Sequence, residues 1–156
     1  MPVPEFVLSL REKIGHDLLW LPAVTAVVLR DDGRVLLARR SDNGNWGLVS
    51  GIVEPGEEPA VTAVRECLEE TGVVAVVEDL VAIKAGEPVQ YPNGDRCQFL
   101  DHTFRCRWVS GEARVNDDES LEVGWYDPAD TPPLPPHQRA RLDAALAHDG
   151  RARFVV

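Results

Sequence analysis

The chain has 156 residues, a mass of 17.2 kDa and 44% hydrophobic residues, enough for a single domain with a real core. Lys and Arg total 16 against 26 for Asp and Glu, which gives a formal net charge of −10. This balance excludes a protein whose main task is to grip long nucleic acid or an anionic membrane, because basic surface supplies such binding. It leaves room for a small anionic substrate held through a divalent cation.

Cys67, Cys97 and Cys106 form no CxxC pair and have no zinc-type His spacing around them, so a reduced, cytoplasmic chain is expected. The longest apolar stretch, residues 18–29, is broken by Pro22 and Thr25 and is too short to span a bilayer. The first residues, with Glu5, Arg11, Glu12 and Lys13 interspersed, lack the apolar core of a signal peptide.

In chain order, residues 7–19 place Leu8, Leu10, Ile14 and Leu18 at near-helical spacing, which predicts an amphipathic helical leader over residues 1–19. A single domain over residues 20–156 follows. Residues 24–29 and 35–40 are β-rich runs flanking Asp31-Asp32-Gly33, a hairpin signal. A short strand over 46–49 comes next. After the Pro55-Gly56 turn, an unbroken run over 58–71 ends at Gly72, which reads as a helix with Pro59 in its first turn and a C′ glycine. Strands over 73–84, 96–108 and 121–126 follow, with turn chemistry at residues 91–95. The proline-rich residues 128–136 lead into a closing helix over 138–148 with Leu142 and Leu146 inward. Strands around one central helix, with a second helix at the end, predict an α/β or α+β sandwich.

At about 100° per residue, Ala60, Val64, Cys67, Leu68 and Thr71 share one face of the central helix. Glu66, Glu69 and Glu70 share an arc on the opposite face. Like charges at such spacing cost about 0.2–0.5 kcal/mol per pair, a cost that a bound cation would offset; a plain solvated acidic face is the alternative.

The frame around these carboxylates is specific. Residues 51–73, GIVEPGEEPAVTAVRECLEETGV, resemble the Nudix box, GX5EX7REUXEEXGU, where U is a bulky aliphatic. Gly51, Glu57, Arg65, Glu66, Glu69, Glu70, Gly72 and Val73 match, and Cys67 departs at the first U position. As a small buried hydrophobe, Cys67 changes packing more than chemistry.

The resemblance implies the Nudix fold, an α/β/α sandwich with a central mixed β-sheet, and a loop–helix–loop that binds Mg²⁺ or Mn²⁺. It implies hydrolysis of the pyrophosphate bond of a nucleoside diphosphate linked to another group, with ADP-ribose or a nucleoside diphosphate sugar favoured. The alternatives are a nucleoside triphosphate pyrophosphatase of the sanitising type and a non-catalytic nucleotide-sensing module. Chemistry agrees with a metal: hard divalent cations prefer oxygen ligands and take one or two carboxylates with waters and substrate phosphates.

By this resemblance Glu66 and Glu70 are metal ligands, with Glu69 a third ligand or the base, and the carbonyl of Gly51 reaches the metal. Glu119 is a base candidate from outside the box, with Glu122 its substitute. Arg65 and Glu57 form a supporting pair that orients the ligands. Arg39, Arg40, Trp46 and Tyr91 are substrate-binding candidates; neighbouring strand residues face opposite ways, so one of the two arginines at most reaches a phosphate. Pro88 and Tyr91 stand at spacings that the family associates with ADP-ribose and with dinucleoside polyphosphates, respectively, and these markers conflict. Expected partners are a small nucleotide, no long nucleic acid and no membrane; a homodimer is left open.

Overall fold

The computed structural model describes residues 3–156. In chain order the elements are α1 (Glu5–Ile14), β1 (Leu19–Leu29), β2 (Val35–Arg40), β3 (Trp46–Gly47), β4 (Val49–Ile52), α2 (Pro59–Thr71), β5 (Val74–Ala85), β6 (Val89–Gln90), β7 (Arg96–Ser110), β8 (Ser120–Tyr126) and α3 (Pro136–Leu146). All strands join one sheet with the path β3-β2-β1-β7-β5, from which β4, β6 and β8 branch. The sheet is mixed: β1 runs parallel to β7 along its full length, from Leu19 opposite Cys97 to Leu29 opposite Arg107, and the other pairings between these strands are antiparallel.

Strand alternation divides the core into two layers. Val24, Ala26 and Val28 of β1 and Leu36 of β2 turn toward α2, where Ala63, Cys67 and Val73 join them. Val27, Val35 and Leu37 turn the other way, onto Leu142 and Ala145 of α3. The result is the expected helix–sheet–helix sandwich.

The strand predicted over 46–49 is two short strands, β3 and β4, that separate at Leu48. The short β6, which no strand-like run in the sequence predicts, hairpins onto β7 through the turn closed by the Tyr91 amide on the Asp95 carbonyl. In α1 the predicted inner face is corrected. Val7 is buried with Leu21 and Cys97, and Phe6 packs beside them, while Leu8 and Leu10 are exposed. Arg11 ties the helix end to the sheet by donating to the carbonyls of Gly15, Asp17 and Arg96. In α3, Ala145 takes the inner place expected of Leu146, which is exposed.

Candidate active site

Helix α2 begins with Pro59 in its first turn and ends at Gly72, which adopts φ 70° in the left-handed region, as a C′ glycine does. Its buried side is Thr62, Ala63, Glu66, Cys67, Glu70 and Thr71. The expected partition is therefore corrected at two places: Leu68, assigned to the core, is exposed, and two of the three acidic residues are buried. Glu66 is 1% and Glu70 7% exposed, whereas the Glu69 side chain is 54% exposed. The helix is rolled about its axis so that the Thr62-Glu66-Glu70 stripe joins Cys67 against the sheet.

Glu66 meets β4 at Gly51. A β-carbon on Gly51 would stand 2.3 Å from both the carboxyl carbon and Oε1 of Glu66, so only glycine permits this approach. Burial drives the Glu66 carboxyl up to about 7, against the pull of Arg65. Burial, reinforced by the charge of Glu66, raises Glu70 to about 8. Two desolvated carboxylates thus oppose each other's ionisation, an opposition that nearby positive charge would relieve.

Arg65 is the organiser. Its Nε and Nη2 donate to both oxygens of Glu57, at 2.8 and 3.0 Å, and its Nη1 donates to Glu66 Oε1 and Glu69 Oε2, each at 3.0 Å. The guanidinium holds Glu57 well below the usual carboxylate range, at about 2. Glu57 in turn accepts from the Glu54 amide, tying the loop before α2 to the helix. Among the described residues no three His, Cys, Asp or Glu side chains are already gathered around one metal position. Glu69 stands with Arg65 on the outer side.

The segment after β7 closes the end of α2. Asn116 Nδ2 donates to the carbonyls of Leu68 and Glu69, and the Arg114 and Asn116 amides donate to those of Thr71 and Glu70. These bonds satisfy carbonyls that a helix end leaves open and deliver Asp117-Asp118-Glu119 to the site. Ser41 fixes the same loop from β2: its amide donates to the Glu119 carbonyl at 2.7 Å and its hydroxyl to the Asp118 carbonyl.

A cleft of about 490 Å³ opens beside this site. Gly51, Arg40, Trp46, Tyr91 and Glu119 all line it. Arg40, paired with Asp42 through Nε and Nη2, is close enough to feel the charge of Glu70. Arg39 points elsewhere and binds Glu122 and the Gly44 carbonyl. Trp46 is shared between cleft and core, with an edge contact to Tyr126 at 5.1 Å. Pro88 is exposed and outside the cleft wall. No local pattern in the sequence marks Asn116, His137 or Arg141; the signal at Asp101 is a lone carboxylate in an otherwise strand-like run.

A NUDIX domain model matches residues 19–146. A MutT-like protein of Streptomyces ambofaciens is 38% identical over 106 residues, 68% of this chain and 63% of that protein. The NAD-capped RNA hydrolase NudC of Escherichia coli (strain SMS-3-5 / SECEC) is 34% identical over 117 residues, 74% of this chain and 42% of that one. The chain thus spans less than two thirds of the length of these curated relatives. An ADP-ribose pyrophosphatase from Streptococcus suis 89-1591 superposes with a TM-score of 0.66 at 25% identity, covering 86% of this chain and 98% of its own. With the motif, the sandwich and the family match in agreement, the chain belongs to the Nudix hydrolase family.

Proposed function

We propose that this protein hydrolyses the pyrophosphate bond of a nucleoside diphosphate linked to a second group, of the ADP-ribose or nucleoside diphosphate sugar type, with Mg²⁺ or Mn²⁺ as cofactor. The observation that carries the reading is a pair of buried carboxylates one helical turn apart, Glu66 and Glu70, of which Glu66 packs against Gly51 on the wall of a cleft large enough for a nucleotide. Relatives named for NAD-capped RNA and for ADP-ribose support it from a second side.

The residues fit the cation. Glu66, Glu70 and the Gly51 carbonyl would supply an all-oxygen donor set of the kind that hard divalent ions favour, and burial of the two carboxyls gives a reason to bind one. When bound, such an ion offsets phosphate charge and acidifies a water. Arg65 holds the Glu66 carboxylate in direction and keeps Glu69 at the outer edge. Arg40 offers positive charge in the cleft for a phosphate oxygen. Glu119, on the cleft wall and anchored through its backbone by Ser41, is the proposed base for the attacking water, with Glu69 the alternative. A soluble, cytoplasmic setting belongs to the same reading; no helix among the described residues is long and apolar enough to cross a membrane.

The test is a Mg²⁺-dependent screen over ADP-ribose, nucleoside diphosphate sugars and nucleoside triphosphates, with the products separated by chromatography. Release of a nucleoside monophosphate and a phosphorylated sugar is expected. Release of inorganic pyrophosphate from triphosphates alone would replace this reading with the sanitising one, and nucleotide binding without turnover would replace it with the sensing one.

A further inference from the structure

The far end of the cleft holds a polar arrangement that the pyrophosphate chemistry does not use. Asp101 on β7 is buried, its side chain 5% exposed, in the middle of a sheet. Its Oδ1 accepts from the Thr25 hydroxyl and its Oδ2 from the Thr103 hydroxyl, both at 2.7 Å. Arg141 reaches it from α3, with Nε 3.3 Å from Oδ2. The carboxylate is therefore fully engaged, and it fixes the guanidinium in place. Arg141 remains 26% exposed and lines the cleft. Among the described residues the protein supplies no hydrogen-bond acceptor for its terminal nitrogens Nη1 and Nη2.

One turn earlier on α3, His137 lines the same cleft. Its Nε2 lies 3.4 Å from the Gln138 amide nitrogen, while Gln138 Oε1 accepts from the Leu48 amide. That assigns the Gln138 nitrogen as donor and leaves the His137 proton on Nδ1, a tautomer read from the hydrogen-bond pattern. Burial and the neighbouring Arg141 charge lower the His137 titration, which keeps the ring neutral near pH 7. The wall thus offers donors, from Arg141 and from His137.

Across the sheet, Asp101 on β7 stands opposite Ala23 of β1, and Ala23 stands opposite Ile52, next to Gly51 on β4. Two strand spacings, about 10 Å, separate the guanidinium's anchor from the metal-site strand, comparable with the length of a nucleoside. Trp46, Tyr91 and Phe99 line the same cleft, and aromatic side chains are surfaces on which a planar ring can stack.

We propose that Arg141, held on Asp101, determines base specificity by donating from its terminal nitrogens to the acceptor edge of an oxo base, guanine or uracil, and that it disfavours adenine. The inference rests on the proposed nucleotide hydrolase and narrows it toward nucleoside diphosphate sugars of those bases. A guanidinium matches the paired acceptors O6 and N7 of guanine and can donate to the single acceptor O4 on the same edge of uracil, whereas the corresponding edge of adenine sets an amino donor beside N7. That amino group would face one Arg141 nitrogen, donor against donor, and leave both unsatisfied. A second phosphate is the poorer occupant, because the Asp101 carboxylate beside the guanidinium is buried and its charge little screened against an anion, whereas Asp42 beside Arg40 is half exposed.

The experiment is calorimetric binding of GMP, UMP, AMP and CMP to the metal-free protein, with Arg141→Gln and Arg141→Lys alongside and melting curves on each variant. GMP or UMP is expected to bind about 10-fold tighter than AMP, and the two arms tell guanine from uracil. Arg141→Gln, whose amide suits adenine, should erase or reverse that order while Arg141→Lys weakens it, in variants that melt cooperatively. AMP binding as tightly as GMP and UMP overturns the proposal, as does an unchanged order in folded Arg141→Gln. Affinity that follows phosphate number alone, tested with GDP against GMP and ADP against AMP, overturns it too. Base preference without hydrolysis of any diphosphate would sink the proposed activity and leave this assignment standing; hydrolysis without base preference would do the reverse.

Discussion

Gly51 and Glu66 face each other so closely that no side chain larger than hydrogen fits on residue 51, since its β-carbon would lie 2.3 Å from the Glu66 carboxyl carbon. A strand residue thereby sets the position of a helix carboxylate. Gly51→Ala must push that carboxyl away from β4. The expected outcome is a loss of turnover of about 10–100-fold, with cation affinity reduced in parallel, because displaced ligands and their supports typically cost one to two orders of magnitude. Titration of Mn²⁺ by electron paramagnetic resonance measures the affinity directly; unaltered Mn²⁺ binding in a folded Gly51→Ala would remove Glu66 from the site.

Metal-free stability should depend on pH in a definite direction. Folding raises Glu66 to about 7 and Glu70 to about 8 from an ordinary value of 4.5. Between these limits the folded chain keeps protons that the unfolded chain has released. Stability then falls as pH rises, from about pH 4.5 to about pH 8. Added Mg²⁺ should reverse the decline at the upper end, with proton release on binding. Melting temperatures across pH 5–8, with and without Mg²⁺, check this, and a metal-free profile that climbs with pH over that range would contradict it.

The same logic predicts opposite effects of one substitution on stability and on activity. Glu70→Gln removes a buried charge while keeping shape, so the metal-free protein at pH 8 should melt a few degrees higher, at about 2–4 °C per kcal/mol for a chain of this size. Catalysis with Mg²⁺ should drop at least 10-fold. Differential scanning calorimetry and steady-state rates on the same preparation test both halves.

Arg65 touches Glu57, Glu66 and Glu69 at once. Arg65→Lys retains charge but not the two-pronged hold on Glu57, so kcat should fall by about 10–100-fold. A rate within twofold of wild type would mean that the geometry of the guanidinium is irrelevant to the carboxylates it orders.

Arg39 and Arg40 are sequence neighbours with different surroundings. Arg40→Ala is expected to raise KM for a diphosphate substrate several-fold, because Arg40 lines the cleft. Arg39→Ala should leave KM nearly unchanged, since its partners are the exposed Glu122 and the Gly44 carbonyl. Equal effects of both substitutions would show that the cleft wall is not where the phosphates lie.

Local chemistry makes much of this molecule legible in its sequence. The Asp-Gly turn between β1 and β2, Pro59 at the first turn of α2 and Gly72 at its end are short-range signals, and the helix and hairpin stand where they indicate. The spacing of Gly51, Glu57, Arg65, Glu66, Glu69 and Glu70 carried the family in the same way. Periodicity relates the residues of one helix to each other, but it does not say how far that helix is rolled against its neighbours. The sequence therefore grouped Glu66, Glu69 and Glu70 together. Packing of α2 on β4 and β5 buried Glu66 and Glu70 and left Glu69 outside with Arg65. The choice between Arg39 and Arg40 likewise waited on which side of β2 faces the cleft. Asp101 and Arg141 lie 40 residues apart on a strand and a helix, and no local pattern links them. Only the parallel pairing of β1 with β7, which brings Thr25 opposite Thr103, and the seating of α3 across that pair turn an isolated carboxylate into an anchor. Long-range contacts of this kind decide burial, and burial decides which charges have a function.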